Sequence, residues 1–137
     1  MTKTEPGRSL LLIDDEDGFL AVMRRRFERR GYDVATAGSG AEALRLLRER
    51  RFEAAVLDLK MGDMDGFELL RIFRRMAPEM PVVMLTGHGG ETEAAEGLRL
   101  GAAGYLLKPC DFEALVECLD GALTQDDSGG ATDGQAT

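Results

Sequence analysis

Apolar residues in this chain gather into short blocks, and four of those blocks close on a polar residue. Leu10-Leu11-Leu12-Ile13 leads into Asp14-Asp15, and Ala54-Ala55-Val56-Leu57 into Asp58. Pro81-Val82-Val83-Met84-Leu85 leads into Thr86, and Tyr105-Leu106-Leu107 into Lys108-Pro109. Continuous apolar runs of this length, separated by helical patterns, read as strands buried in a parallel sheet. Between them the period changes to that of a helix. Phe19-Leu20, Met23 and Phe27 recur at helical spacing after a start near Asp17, and Gly31 supplies the left-handed residue that ends such a helix.

Tyr32 to Ala37 alternates like a half-buried strand, and Ser39-Gly40-Ala41-Glu42 reads as a capping box opening a second helix over Ala43, Leu44 and Leu47. A turn-rich loop through Gly62 and Gly66 precedes a helix from about Phe67 to Met76, and Pro78 and Pro81 frame the entry to the fourth strand. Gly87-His88-Gly89-Gly90 reads as a flexible loop. The helix from about Glu91 to Leu100 carries Gly97 and few large apolar residues, which makes it the most mobile element expected. Asp111 caps a last helix with Phe112, Leu115, Val116 and Leu119 on one face. This alternation predicts an α/β fold, a doubly wound five-stranded parallel sheet with helices on both faces. Residues 1–8 read as a disordered N-terminus and 9–124 as one domain. Residues 125–137, almost all Gly, Ser, Thr, Asp, Ala and Gln, read as a disordered tail or the start of a linker.

Composition narrows the function classes. A formal charge of −8 over 137 residues argues against direct binding of nucleic acid. The arginines of Arg24-Arg25-Arg26-Phe27-Glu28-Arg29-Arg30, with Arg48, Arg50 and Arg51, read as a solvated helix face. Cys110 and Cys118 lack metal-ligand spacing and read as reduced, and no apolar run suits a signal peptide or membrane span. A cytoplasmic protein that does not engage membrane is expected.

In an open α/β sheet, groups just past the carboxyl ends of the strands converge on one crevice. Asp14, Asp15, Asp58, Thr86 and Lys108 would then share a pocket. Adjacent carboxylates repel unless a cation joins them, and Mg²⁺, or Mn²⁺ in its place, accepts carboxylates together with phosphate oxygens. Lys108 adds a positive point charge and Thr86 a hydroxyl donor, so the pocket suits a phosphoryl group.

Asp14-Asp15, Asp58, Thr86 and Lys108-Pro109, in this order and at these intervals, resemble the receiver domain of bacterial two-component response regulators. The resemblance runs from about Arg8 to Leu123. Asp58-Leu59-Lys60-Met61-Gly62-Asp63-Met64-Asp65-Gly66 is similar to that family's phosphoacceptor loop, and Gly101-Ala102-Ala103-Gly104-Tyr105 precedes Lys-Pro as it does there. The resemblance implies a flavodoxin-like fold with strand order 2-1-3-4-5. It implies that Asp58 takes a phosphoryl group from a sensor histidine kinase or phosphotransfer protein. Asp15, Asp58 and the Lys60 backbone carbonyl would bind the metal directly, and Asp14 through a metal-bound water. Lys108 would pair with phosphoryl oxygens, Thr86 would move to hydrogen-bond one of them, and Tyr105 would be the switch aromatic. The fourth helix, last strand and last helix would present the altered face to a downstream effector of unknown identity, or to a second copy in a phosphorylation-dependent homodimer. Lys60 and His88 would flank the path of the water that hydrolyses the phosphoryl group, and the Lys108-Pro109 bond is expected cis.

One departure is Gly62, where the family commonly has proline; a flexible residue there loosens the loop holding the Lys60 carbonyl. Two other readings compete. A Mg²⁺-dependent phosphohydrolase also uses a strand-end aspartate, but its general acid sits two residues on, where this chain has Lys60. A phosphorylation-independent receiver-like adaptor would lack part of the acidic pair, the acceptor or the lysine, all of which are present.

Overall fold

The computed structural model describes residues 8–127. Five strands, β1 (Ser9–Ile13), β2 (Asp33–Ala37), β3 (Ala54–Leu57), β4 (Val82–Thr86) and β5 (Gly104–Leu107), alternate with five helices. These are α1 (Asp17–Arg29), α2 (Gly40–Glu49), α3 (Gly66–Met76), α4 (Glu91–Arg99) and α5 (Phe112–Asp127). All pairings among the five strands are parallel, as the alternation predicts, and the strand order is β2-β1-β3-β4-β5, as the resemblance implies. Helix α5 runs to Asp127, past the boundary at 124 read from composition. The rest of the expected tail and residues 1–7 lie outside the described residues.

The strands bury successive side chains on opposite faces, because the strand period is two. Leu10, Leu12, Val56, Val83 and Leu85 meet Leu20, Met23 and Phe27 of α1 and Leu115, Val116 and Leu119 of α5 in one cluster. Leu11, Ile13, Ala55, Leu57, Val82 and Met84 meet Ala43 of α2 and Leu69, Leu70 and Phe73 of α3 in the other. Full burial of one such leucine or phenylalanine side chain stabilises the fold by about 1.5–3 kcal/mol. Helix α4 contributes only Gly97 to the buried set, where a Cβ would approach Tyr105 at 3.1 Å and Met84 at 3.3 Å. The missing side chain lets α4 lie close on β4 and β5.

Helix ends follow local chemistry. Gly31 takes φ +90° after α1, as a C-terminal glycine does. Ser39 Oγ accepts from the Glu42 N–H at 3.1 Å, but the Glu42 carboxylate accepts from Gly38 rather than closing the expected capping box on Ser39. Charged residues of α1 and its C-cap are engaged: Arg24 pairs with Glu28 on the same helix, and Arg26 and Arg30 lie over the Phe112 ring of α5. Among the described residues no helix is long and apolar enough to cross a membrane.

Candidate functional site

Hydrogen bonds that carry the parallel ladder past the strand ends place the polar residues. Asp14 N–H donates to Ala37 O at 3.1 Å, Asp58 N–H to Ile13 O at 3.1 Å, and Lys108 N–H to Thr86 O at 2.8 Å. The backbone of each residue is therefore tied to the neighbouring strand by its own N–H. The Lys108–Pro109 bond is cis, as expected. Carboxylate oxygens of Asp14, Asp15 and Asp58 all fall within 4.8 Å of one another, with Asp14 and Asp58 buried and Asp15 exposed.

The two buried carboxylates differ in their partners. Asp14 Oδ1 accepts from the Glu16 N–H at 3.0 Å, and its Oδ2 accepts from Lys108 Nζ at 2.6 Å. Asp58 Oδ1 is buried with no hydrogen-bond partner. Leaving such an atom unsatisfied costs roughly 1–3 kcal/mol, more for a charged group, so its persistence calls for a ligand. Three carboxylates, one of them with an unpartnered oxygen, fit a hard divalent cation.

Burial raises the Asp14 carboxyl above its usual range, the charge of Asp58 adds to this, and the Lys108 and Glu16 hydrogen bonds partly oppose it. For Lys108, burial favours the neutral amine, but the Asp14 hydrogen bond and the negative charges around it outweigh burial and hold the ammonium above its ordinary pKa. The ammonium has two further neighbours that sequence reasoning missed. Glu16 Oε1 lies 3.4 Å away, and the Phe19 ring centroid 4.1 Å away.

Thr86 is fully buried, and its Oγ1 accepts from the His88 N–H at 3.1 Å. The Tyr105 hydroxyl donates to the His88 carbonyl at 3.1 Å. The backbone of His88 is thus held on both sides, within the loop read from its glycines as flexible. Gly89, at φ +102°, is required there, since a Cβ would meet the Tyr105 hydroxyl at 2.7 Å. Burial, with Glu93 and Asp58 nearby, raises the Tyr105 hydroxyl pKa. A cleft of about 430 Å³ lined by Asp15, Glu16, Asp58, Lys60, Met61, Gly62, Gly87, His88 and Lys108 opens over the carboxylates. Of the residues singled out from the sequence, Asp15, Asp58, Lys60, His88 and Lys108 line this cleft. Asp14, Thr86 and Tyr105 lie outside its lining, Asp14 bonded to Lys108 and the other two to the His88 backbone.

The loop from Asp58 to α3 forms one wall of that cleft. Gly66 crosses under it so closely that a Cβ would lie 2.5 Å from the Asp58 carbonyl oxygen. Asp65 caps α3 by accepting from the Phe67 N–H at 3.0 Å. Met61 and Met64 pack against the α2–α3 side of the core.

Residues 10–120 match the response regulator receiver domain family. The chain is 41% identical over 124 residues to the Escherichia coli K12 transcriptional regulatory protein GlrR, covering 90% of this chain and 28% of that protein. It is 42% identical over 106 residues to the alginate biosynthesis transcriptional regulatory protein AlgB of Pseudomonas putida, covering 77% of this chain and 24% of that one. The chain thus spans about a quarter of the length of these relatives. Among solved structures it is similar to a CheY-like response regulator receiver domain protein from Methanospirillum hungatei, with TM-score 0.86, 29% identity, and 90% and 99% of the two chains covered. It is also similar to a Burkholderia pseudomallei response regulator whose crystal structure holds a phosphorylated aspartic acid, a calcium ion and citrate, with TM-score 0.80, 31% identity, and 90% and 73% covered.

Proposed function

Because this chain belongs to the response regulator receiver domain family, we propose that it is a phosphorylation-controlled signalling domain with Asp58 as its phosphoacceptor. The observation that carries the assignment is the buried, unpartnered Asp58 Oδ1 between an acidic pair and a lysine. A carboxylate oxygen of Asp58 would attack phosphorus while the bond to the donor's imidazole nitrogen breaks. Asp58 then holds an acyl phosphate and the imidazole leaves neutral, taking up a proton. The donor class is a phosphohistidine on a sensor histidine kinase or a phosphotransfer protein. Asp15, Asp58 and the Lys60 carbonyl would hold Mg²⁺ or Mn²⁺, with Asp14 acting through water. Such an ion supplies charge neutralisation for the carboxylates and the incoming phosphoryl oxygens. Lys108 stands within reach of both sets of negative charge, and positioning plus neutralisation is most of what phosphoryl transfer requires.

The switch would start at Thr86. A phosphoryl oxygen on Asp58 offers its hydroxyl a new acceptor, and any movement of Thr86 is felt by His88, whose carbonyl holds Tyr105. Tyr105 lies on β5 beneath Gly97 of α4, so the change reaches the face formed by α4, β5 and α5. That face would address a downstream effector or a second copy of the chain. We read this stretch as contacting neither nucleic acid nor membrane, and as acting in the cytoplasm. It is a signalling domain with slow self-dephosphorylation rather than a turnover enzyme, since Lys60 stands where a phosphohydrolase needs an acid.

Incubation with Mg²⁺ and acetyl phosphate, followed by intact mass measurement, should give a single phosphoryl adduct. Asp58→Asn should abolish it and keep the fold by circular dichroism. An adduct of undiminished yield in that variant would move the acceptor elsewhere, and no adduct on the wild type would favour the adaptor reading.

A further inference from the structure

Gly62 leaves the loop wall of the cleft without the stiffening that a proline would bring, yet the loop is anchored one residue later. The Asp63 carboxylate reaches the first turn of α2, accepting from the Gly40 N–H at 2.9 Å through Oδ1 and from the Ala41 N–H at 3.1 Å through Oδ2. Both donors lie at a helix N-terminus, where backbone N–H groups have no partner within the helix and the dipole favours negative charge. With Ser39 serving the Glu42 N–H, the initial donors of α2 are divided between its own cap and a residue 23 positions away. A Cβ at Gly40 would lie 3.0 Å from Met64 Cβ, so the glycine is what lets the loop lie against the helix. These backbone hydrogen bonds hold the Asp63 carboxyl below its usual pKa range.

We propose that Asp63 is a positioning residue for the cation site, clamping the Lys60–Gly62 wall to α2 so that Lys60 presents its backbone carbonyl in place. The inference rests on the receiver reading of the site. Its physical basis is preorganisation: a loop held before the ion arrives loses less conformational freedom on binding. Space at Gly62 supports a test by substitution, because a Cβ there meets nothing within 4 Å and its φ is not in the left-handed region. A proline at 62 restricts the chain by itself, without replacing either hydrogen bond to α2.

Mg²⁺ affinity should be measured by calorimetry on the wild type, Asp63→Ala, Asp63→Asn and the double variant Asp63→Ala/Gly62→Pro, well below each melting temperature. The Kd should rise roughly 3- to 10-fold in Asp63→Ala, as expected when about 1 kcal/mol of preorganisation is lost, and less in Asp63→Asn, which keeps one acceptor oxygen. Gly62→Pro should recover most of that loss, while amide exchange at Gly40 and Ala41 stays fast because the helix remains unclamped. That split separates positioning of the wall from capping of α2. An unchanged Kd in Asp63→Ala, or a loss that Gly62→Pro does not relieve, overturns the proposal. A wild type that binds no Mg²⁺ would instead overturn the receiver reading of the site, and the clamp's role with it.

Discussion

At the scale of single residues, the ammonium of Lys108 is held by three neighbours. Asp14 takes it at 2.6 Å, Glu16 stands at 3.4 Å, and the Phe19 ring lies beneath it at 4.1 Å. A cation over an aromatic face contributes about 0.5–1 kcal/mol when exposed and about 2 kcal/mol when desolvated. The Lys108 side chain is only 17% exposed, so the upper part of that range applies. A double-mutant cycle of Phe19→Leu against Lys108→Met, read by chemical denaturation, should give a coupling approaching about 2 kcal/mol. Leucine keeps the apolar bulk, so coupling near zero would mean that the ring only packs and that the carboxylates alone hold the lysine. Asp14, Asp58, Thr86 and Lys108 were legible in the sequence because each follows or ends an apolar run, three of them buried and the last, β5, only half-buried, and parallel strands bring such ends together. Glu16 and Phe19 were not, since their role depends on where a side chain 92 positions from Glu16 comes to rest.

Among the elements, α5 is fastened to the far side of the sheet by polar contacts as well as by its apolar face. The Tyr32 hydroxyl, between α1 and β2, donates to Asp120 Oδ1 at 3.1 Å, and Arg30 pairs with Glu113. Burial, with the Asp120 carboxylate beside it, pushes the Tyr32 phenol up to about 12 from 10.0. A phenol whose folded pKa exceeds its unfolded value stabilises fully below pH 10, and that contribution is lost as pH rises toward 12. Wild type minus Tyr32→Phe in unfolding free energy should therefore fall across that window by an amount on the order of 2 kcal/mol. A flat difference would mean that the phenol ionises as freely in the native protein as in the unfolded chain. Element types were readable from periodicity, because a run such as Leu10 to Ile13 and a stripe such as Leu20, Met23 and Phe27 differ plainly in repeat. Ends were less so. Glu42 bonds Gly38 rather than Ser39, and α5 continues to Asp127, both decided by local geometry that composition leaves open. Asp63 was hidden for a similar reason, as its acceptors become useful only once α2 is folded beside the loop.

For the molecule as a whole, strand order places three carboxylates at one end of the sheet, in a chain whose formal charge is already −8. The fold therefore gathers like charges and a buried carboxylate oxygen without a partner, both of which a divalent cation would relieve. Ligands that bind only the native state stabilise by RT ln(1 + [L]/Kd), about 2.7 kcal/mol at 100 times Kd. For a domain of this size that corresponds to a rise of about 10 °C in Tm. Mg²⁺ should produce such a rise in the wild type at constant ionic strength. Asp58→Asn should melt higher than the wild type without Mg²⁺, by roughly 1 kcal/mol, since an amide relieves the charge repulsion and is cheaper to bury. The same variant should gain little on adding Mg²⁺. Scanning both proteins with Mg²⁺, and with NaCl matched for ionic strength, separates site binding from screening. Equal rises in the two proteins would mean that the ion acts on the general negative charge rather than at Asp58.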